Sequence, residues 1–166
     1  MFQIGDYMVH GNSGICKVEN ITQLKISGAQ KNRMYYVLLP VNTKGSRVYS
    51  PVDNDKVPMR KVMSEAEAKV LLEEIPRMEQ IQTDFTERGE DPYKKALHSC
   101  DYRSWAKMIK TLYRKQNQRM RMGKKLASSD ERYLRQAREN LCQELAIALG
   151  RTEQEIEHYI LEKIGL

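Results

Sequence analysis

The chain has 166 residues and a formal net charge of +6, with 40% hydrophobic and 30% charged residues, which is typical of a soluble globular protein of one or two small domains. No run of the sequence approaches the ~20 apolar residues of a membrane span. The N-terminus also lacks the basic and apolar regions of a signal peptide, so we expect a cytoplasmic protein that does not enter a membrane.

Residues 1–63 are predicted to form a small β module. Apolar and polar residues alternate over short runs, as in half-buried strands, and turn signals rich in Gly, Asn and Ser separate the runs. Short strands separated by turns roughly every ten residues predict a strongly bent sheet or a small barrel. The five predicted strands span residues 2–10, 15–22, 34–39, 47–50 and 57–60.

Residues 64–166 are predicted to be helical. Three segments match the capping box, in which an N-cap hydroxyl and a carboxylate three residues later bond to each other's backbone amides. Asp101 suits the N-cap of a further helix, and Gly150 suits a C-cap. Two short helices are also predicted, at 78–85 and 93–98. The three capping boxes lie at residues 64–67, 128–131 and 152–155.

The order of these elements predicts an α+β protein. Strands that come first and helices that follow are not the pattern of a doubly wound sheet. We therefore predict a β-barrel domain over residues 1–63 and an all-helical domain over residues 64–166. No low-complexity linker separates them, which favours a defined mutual orientation.

The stretch from Tyr102 to Ala127 concentrates the positive charge of the chain. It contains nine basic residues and no acidic residue, whereas the rest of the sequence is close to balanced. A positive electrostatic field concentrated in one segment attracts polyanions and steers their encounter with the protein. The nine residues are Arg103, Lys107, Lys110, Arg114, Lys115, Arg119, Arg121, Lys124 and Lys125.

The same stretch has the pattern of an amphipathic helix. Its apolar residues recur at the spacing of one buried stripe, and basic residues recur on a different face. One interpretation is a solvated helix whose charges serve solubility. The other, which the absence of acidic residues favours, is contact with a polyanion. The stripe contains Trp105, Met108, Ile109, Leu112 and Tyr113, and the basic face Arg103, Lys107, Lys110 and Arg114.

No motif of a common enzyme is present: there is no phosphate-binding glycine loop, no HExxH and no GxSxG. The three cysteines are scattered without a CxxC pair, which argues against a disulfide framework or a zinc site. Asp6, His10 and Cys16 are near one another in sequence, but Cys16 has the setting of a packed strand residue. We expect no catalysis, no metal, no cofactor and no small-molecule ligand.

Several segments together resemble the CarD/CdnL proteins. The opening FQIGDYMVHGNSGI is similar to the family's N-terminal pattern, and YYVL and VYSPVD are similar to its next strands. In the second half, LYRK and LASSDERYLRQARENLCQELA resemble the family's helical patterns. The similarity covers nearly the whole chain in the expected order, and the ordered set is more specific than any one motif.

The resemblance implies a transcription regulator and not an enzyme. The first domain would be a Tudor-like barrel, like the polymerase-interacting domain of transcription-repair coupling factors, and would dock on the β subunit of bacterial RNA polymerase. The helical domain would contact promoter DNA at the upstream edge of the bubble, mostly through the backbone and without sequence specificity. The effect would be on the stability of the open complex.

The resemblance also implies the polymerase-binding residues. The family's docking strand corresponds to Arg47, Val48, Tyr49 and Ser50. A family arginine that is important for docking falls at Tyr49, and Arg47 lies two positions away on the same strand face, where it could substitute.

For DNA contact, the counterpart of the family's wedge tryptophan is Phe85 and not Trp105, which we expect in the core as part of the apolar stripe. Phe85 could equally be buried. Neighbouring acidic residues, Glu87, Glu90 and Asp91, weaken the case for strong DNA contact at that point. The expected DNA-binding residues are Phe85, Arg88, Lys94, Lys107, Lys110, Arg114, Lys124, Lys125 and Arg132.

Two hypotheses from other classes stay open at this point. The same cationic helix would serve an RNA- or ribosome-associated binding module, because β barrels also bind RNA. A hydrolase or transferase that uses the Cys16 thiol is the remaining hypothesis, and it has the least support.

Overall fold

The structure is a computed structural model of the chain, and it describes residues 1–82 and 91–166. It contains two compact units, Met1–Val62 and Met63–Leu166. The first is formed by strands and the second by helices, which confirms the predicted α+β class. Among the described residues, no helix is both long enough and apolar enough to cross a bilayer.

The first unit is a five-stranded antiparallel sheet with the order β4-β3-β2-β1-β5. The strand number matches the prediction, and alternation of buried and exposed residues along β1 and β2 explains why the sequence pattern revealed it. The strands are β1 (Tyr7–His10), β2 (Gly14–Gln23), β3 (Met34–Pro40), β4 (Val48–Pro51) and β5 (Met59–Lys61).

The sheet bends around one small core. The register between β2 and β3 shifts between Val18 and Asn20, and a shift of this kind increases the local twist. The Ser50 hydroxyl of edge strand β4 lies 3.6 Å from the Met59 sulfur of the opposite edge strand β5, so the two edges approach each other as in a barrel. The core cluster consists of Met8, Cys16, Val18, Tyr36 and Leu38.

The first strand is shorter than predicted, because it begins at Tyr7 and not at Phe2. Gly5 has a φ of +94°, a conformation that ends an extended run. The residues before β1 still pack on the sheet: the Gly5 amide donates to the Val18 carbonyl at 2.8 Å, and the Phe2 ring stands edge-on to Tyr36.

The second unit contains five α-helices and a 3₁₀ turn, Ile75–Arg77, among its described residues. Its caps explain most of the helix boundaries. Ser64 and Thr152 form the two reciprocal capping boxes predicted for them, Asp101 caps the third helix, and Gly150 ends the fourth with a φ of +62°. The helices are α1 (Glu65–Glu74), α2 (Pro92–His98), α3 (Tyr102–Arg121), α4 (Ser128–Leu149) and α5 (Glu153–Ile164).

Two helix predictions were wrong. The capping box over 128–131 does not form, because α4 already begins at Ser128 and its N-cap is Ala127, which has no side-chain hydrogen bond to offer. The helix predicted over 78–85 is also absent from its described part: the 3₁₀ turn ends at Arg77, and residues 78–82 are not helical. Residues 83–85 lie outside the described part of the chain.

The apolar stripe of α3 lies in the core of the helical unit, as predicted. Trp105 is 1% exposed, and its indole Nε1 donates to the Leu97 carbonyl at 3.1 Å. Satisfying the indole N–H in this way removes the main cost of burying a tryptophan. The other large buried residues include Met108, Ile109, Leu112, Leu134, Leu141, Leu145, Ile156 and Ile160.

Candidate nucleic-acid and protein interfaces

Helix α3 has two halves with different surroundings. Its buried residues end at Tyr113, and none of residues 114–125 is buried. The helical part of this exposed segment, which ends at Arg121, is about 12 Å long at 1.5 Å per residue. We call residues 114–125 the basic arm, since it contains six basic residues and no acidic residue.

Three cations form a line along α3. Lys107, Arg114 and Arg121 recur every seven residues, which is close to two helical turns, so they lie on the same face. All three are exposed, and none makes an ion pair with another described residue. Within residues 1–82 and 91–166, no carboxylate neutralises these three charges.

Lys110 does not belong to this exposed face, which corrects its predicted place there. Its side chain is 2% exposed, and its Nζ donates to the backbone carbonyls of Ile75, Pro76 and Met78 at 2.8, 2.9 and 2.7 Å. Burial lowers the pKa of the Lys110 ammonium, and the neighbouring Arg114 acts in the same direction. Lys110 fixes the segment after α1 and is not accessible to DNA.

Two further cations of α3 are paired with acidic residues. Arg103 contacts Glu74 at 3.0 Å, and the hydrogen bond to that carboxylate raises the pKa of the guanidinium. Lys115 contacts Asp130 at 2.6 Å. These contacts join α3 to α1 and to α4, so the two charges stabilise the helical unit and contribute less to the exposed field.

The turn at the tip of the arm is closed by hydrogen bonds. The Lys124 amide donates to the Arg119 carbonyl at 2.9 Å, and Arg119 Nε donates to the Lys125 carbonyl at 2.7 Å. Gly123 has a φ of +70°, which a residue with a Cβ rarely adopts. Lys124 and Lys125 are exposed on this turn, as their predicted role requires.

The remaining predicted DNA contacts lie on other elements. Lys94 on α2 and Arg132 on α4 are both exposed. The rings of Tyr93 and Tyr133 lie 6.0 Å apart, so the segments that carry these two cations pack against each other. Phe85, Arg88, Glu87 and Glu90 lie outside the described residues.

Asp91, which precedes Lys94, is engaged within the protein. Its carboxylate accepts from the Tyr93 amide at 3.0 Å and from the Tyr133 hydroxyl at 2.8 Å. The carboxylate therefore caps α2 and links it to α4.

In the first unit, the predicted docking strand is an edge strand. β4 pairs with β3 on one side only in the described sheet, and Arg47 and Tyr49 are both exposed, as expected for residues two apart on one face. Arg47 Nε bonds Glu19 at 2.9 Å. A cleft of about 440 Å³ runs beside the strand and is lined by Glu19, Asn20, Thr22, Leu24, Val37, Arg47 and Tyr49.

The Ser50 side chain does not face that surface. It is 3% exposed and its hydroxyl contacts Met59 inside the sheet, so only the backbone of Ser50 belongs to the edge. Val48 is half-buried. The outward-facing side chains are therefore those of Tyr49 on β4 and of Arg47, which immediately precedes the strand.

Two family models match the chain. The model of the CarD-like/TRCF RID domain matches residues 2–63, and that of the CarD C-terminal domain matches residues 71–161. The chain belongs to the CarD family. No individual curated protein matches it. As a CarD-type protein, it is an RNA polymerase-interacting transcription regulator, as the resemblance implied.

The CarD-type chain offers no reactive thiol at the position considered for catalysis. Cys16 is 0% exposed, and burial raises the pKa of its thiol to about 12. The thiolate, which is the nucleophilic form, is thus scarce near neutral pH. Among residues 1–82 and 91–166, no group of three His, Cys, Asp or Glu side chains is arranged to hold a metal ion.

One feature of the arm was missed from the sequence of this CarD-type chain. Met120 and Met122 are 66% and 59% exposed, although an apolar residue on a helix is usually part of its buried stripe. Met120 lies seven residues after Tyr113, so the helical period places it on the buried stripe. The signal of its exposure was that arginines flank it on both sides.

Proposed function

We propose that this CarD-type regulator docks on the β subunit of RNA polymerase through strand β4 and contacts promoter DNA through α3 and the basic arm. Bound in this way at the upstream edge of the bubble, it modulates the stability of the open complex in the cytoplasm, by binding alone. The observation that carries the proposal is the line of Lys107, Arg114 and Arg121, which is exposed and makes no ion pair with the described residues.

The exposed positive charge of the helical unit supports the proposed DNA contact. Lysine and arginine neutralise backbone phosphates without recognising sequence, and released counterions supply much of the free energy. Three cations at seven-residue spacing follow about 20 Å of one helix face. Exposed Lys94, Lys124, Lys125 and Arg132 add positive charge on the same unit.

The polymerase contact follows from the exposed edge. An edge strand presents unpaired N–H and C=O groups that a partner strand can complete. Val48–Pro51 is short and ends in a proline, which limits uncontrolled pairing. The exposed Tyr49 side chain, 45% accessible, supplies the aromatic contact area that protein interfaces favour.

The two contacts support each other through proximity. A regulator held on polymerase meets the neighbouring DNA at a high effective concentration, so weak intrinsic DNA affinity is sufficient. With this arrangement, a protein of modest net charge and without a motif for base recognition needs only backbone contacts to hold promoter DNA.

The polymerase contact is tested by binding of the full chain to the isolated β lobe. Tyr49→Ala should weaken binding about tenfold, since truncation of a central interface tyrosine costs more than 1 kcal/mol. Tyr7→Ala is the matched control, because Tyr7 is also exposed, at 39%, but lies on the inner strand β1. Equal affinities for Tyr49→Ala and the unchanged chain would argue against docking by β4.

The DNA contact is tested by a footprint of a polymerase–promoter complex with and without the protein. We expect added protection upstream of the bubble and a changed lifetime of the open complex. Binding of the free protein to duplex promoter DNA is then compared with binding to structured RNA of equal length. A strong preference for RNA would contradict the proposal and favour an RNA- or ribosome-associated module.

A further inference from the structure

A polar cavity of about 810 Å³ lies in the helical unit, between α3 and the segment that follows the 3₁₀ turn. We call it the α3 cavity, and its volume is within the range of small-molecule sites. No small-molecule ligand was expected from the sequence, because segments far apart in the chain form this wall. The wall includes residues 78–82, Tyr93 of α2, and four residues that share one face of α3, Thr111, Arg114, Lys115 and Gln118.

Two side chains of α3 hold the wall of the α3 cavity in place. The Thr111 hydroxyl accepts a hydrogen bond from the Ile81 amide at 2.9 Å and donates to the Lys107 carbonyl at 2.7 Å. The Lys110 ammonium donates to the Met78 carbonyl at 2.7 Å. Because these bonds fix the segment after the 3₁₀ turn against the helix, the cavity is already formed before a ligand enters, as most small-molecule sites are.

Three neighbouring side chains of α3 offer hydrogen-bond donors at the wall. Arg114 is exposed, and no carboxylate of residues 1–82 and 91–166 pairs with it. Lys115 contacts Asp130 at 2.6 Å, but an ammonium group has three donor hydrogens and can bond other acceptors as well. Gln118, one turn beyond Arg114, is exposed and adds an amide. This arrangement favours a ligand with several closely spaced acceptor oxygens.

The Tyr93 hydroxyl is a further donor at this wall. Tyr93 is 6% exposed, and its hydroxyl has no hydrogen-bond partner among the described residues. Burial raises the pKa of this hydroxyl, and the carboxylates of Asp130 and Asp91 act in the same direction, so the group keeps its proton at neutral pH. A buried hydroxyl without a partner is unfavourable, and a ligand oxygen in the cavity would satisfy it.

The composition of the wall defines the class of ligand. Met78 and Ile81 are the only aliphatic side chains among its described residues, so an apolar ligand would leave many polar groups unpaired. A phosphate group carries about two negative charges and three acceptor oxygens, which suits the cluster of donors on α3. The Glu79 carboxylate and the amide oxygens of Gln80 and Gln82 accept hydrogen bonds, which suits the hydroxyl groups of a sugar.

We propose that the α3 cavity binds a phosphorylated small molecule that is rich in hydroxyl groups, a nucleotide or a sugar phosphate. The phosphate lies against Arg114, Lys115 and Gln118, and the hydroxyl groups lie against residues 79–82. The site goes beyond the proposed function: it shares Arg114 with the proposed DNA contact but does not depend on that contact.

Isothermal titration calorimetry of the full chain measures the binding of ATP, glucose 6-phosphate, adenosine and pyrophosphate. We expect ATP or glucose 6-phosphate to bind, and the tighter of the two identifies the source of the phosphate. Adenosine lacks the phosphates and pyrophosphate lacks the hydroxyl groups, so both should bind more weakly. Arg114→Gln should reduce the affinity for the tighter probe about tenfold, since a hydrogen bond from a charged group is lost.

Two further variants separate the α3 cavity from a general attraction of anions. Arg121→Gln removes the same charge from an exposed position seven residues along α3 that does not line the cavity, and it should leave the affinity for the probe unchanged. Tyr93→Phe removes only the unpartnered hydroxyl. It should weaken binding severalfold without lowering the stability of the fold, measured by the fluorescence of Trp105 during urea unfolding.

Equal losses of affinity in Arg114→Gln and Arg121→Gln would mean that the probes only follow the charge of the helix, and would overturn the proposal. Adenosine or pyrophosphate binding as tightly as the better phosphorylated probe would also overturn it, as would the absence of binding by every probe at millimolar concentration. The footprint of the polymerase–promoter complex is measured without these probes, so a failure of this site leaves the proposed function standing.

Discussion

The ammonium group of Lys110 donates a 2.7 Å hydrogen bond to the backbone carbonyl of Met78. The same nitrogen also bonds the carbonyls of Ile75 and Pro76. Carbonyls at the end of a helical segment have no partner within it and carry partial negative charge. Lys110 supplies a donor to all three carbonyls, of which that of Ile75 also accepts from the Met78 amide at 3.2 Å, and it thereby fixes the chain where it leaves the 3₁₀ turn.

Replacing Lys110 with methionine should destabilise the helical unit by about 2–4 kcal/mol. The substitution keeps the length of the side chain but removes the ammonium donor from three carbonyls, of which, among the described residues, only that of Ile75 keeps another donor, the Met78 amide at 3.2 Å. Trp105, the only tryptophan of the chain, lies in the core of this unit, so its fluorescence during urea unfolding reports the effect. Lys107→Met, at an exposed position of the same helix, should change stability by less than about 0.5 kcal/mol. Equal stabilities of the two variants would contradict the structural role.

The salt dependence of DNA binding should distinguish paired from unpaired cations. Arg114→Gln should reduce the slope of log affinity against log salt by about one, since an exposed arginine without an ion pair releases a counterion on binding. Arg103→Gln removes the same charge, but from a guanidinium that already contacts Glu74 at 3.0 Å, and should change the slope much less. A weak salt dependence for the unchanged chain would mean that the basic face is only solvated.

The buried thiols should resist alkylation in the folded protein. Burial raises the pKa of Cys142, as of Cys16, to about 12, so the reactive thiolate is scarce even at slightly alkaline pH. Iodoacetamide followed by mass spectrometry should show neither residue modified under native conditions and both modified in concentrated urea. Rapid native labelling of Cys16 would reopen the hypothesis of a thiol enzyme.

The first unit should lose stability in mildly acidic solution. His10 is 5% exposed, and burial lowers the pKa of its imidazole below 6.5. At pH values above the pKa that the His10 imidazole has in the unfolded chain, this side chain is neutral in both the folded and the unfolded state. As the pH falls below about 6.5 the unfolded chain binds a proton that the folded chain resists, so stability decreases toward the lower folded pKa.

Hydrogen exchange of the β1 and β2 amides measures this decrease in the first unit alone. His10→Gln should remove the part of the pH dependence that lies below about pH 6.5. His98→Gln, at an exposed position of the other unit, is the control and should leave it unchanged. An identical pH profile for His10→Gln and the unchanged chain would contradict the assignment.

Local signals explain which parts of the fold were predictable. The capping boxes at Ser64 and Thr152 formed as predicted, because each involves only a hydroxyl, a carboxylate and amides within four residues. The box at 128–131 did not form because the helix begins one residue earlier than the motif implies, with Ala127 at the N-cap, while Asp130 in its first turn bonds Lys115, fifteen positions away, at 2.6 Å. A partner of this kind cannot be recognised from the motif itself.

The candidate interfaces likewise combine features that the sequence predicted with features that it could not predict. Charge and helical period predicted a basic face on α3, and Lys107 and Arg114 are exposed on it. Lys110 has the same charge and nearly the same phase, but the 3₁₀ turn Ile75–Arg77 and the following Met78 lie against its ammonium group. Periodicity gives the angle of a residue around its helix axis, whereas burial depends on which neighbour covers that angle.

By itself, the sequence determined the two-part α+β organisation, the family, and the concentration of positive charge between Tyr102 and Ala127, since these depend on local pattern and composition. Only the tertiary structure decided which cations stay available to a ligand, that Ser50 faces the core of its sheet, and that Met120 and Met122 project on an exposed tip. These properties depend on contacts between segments distant in sequence, and such contacts determine where water is excluded and where charges are neutralised.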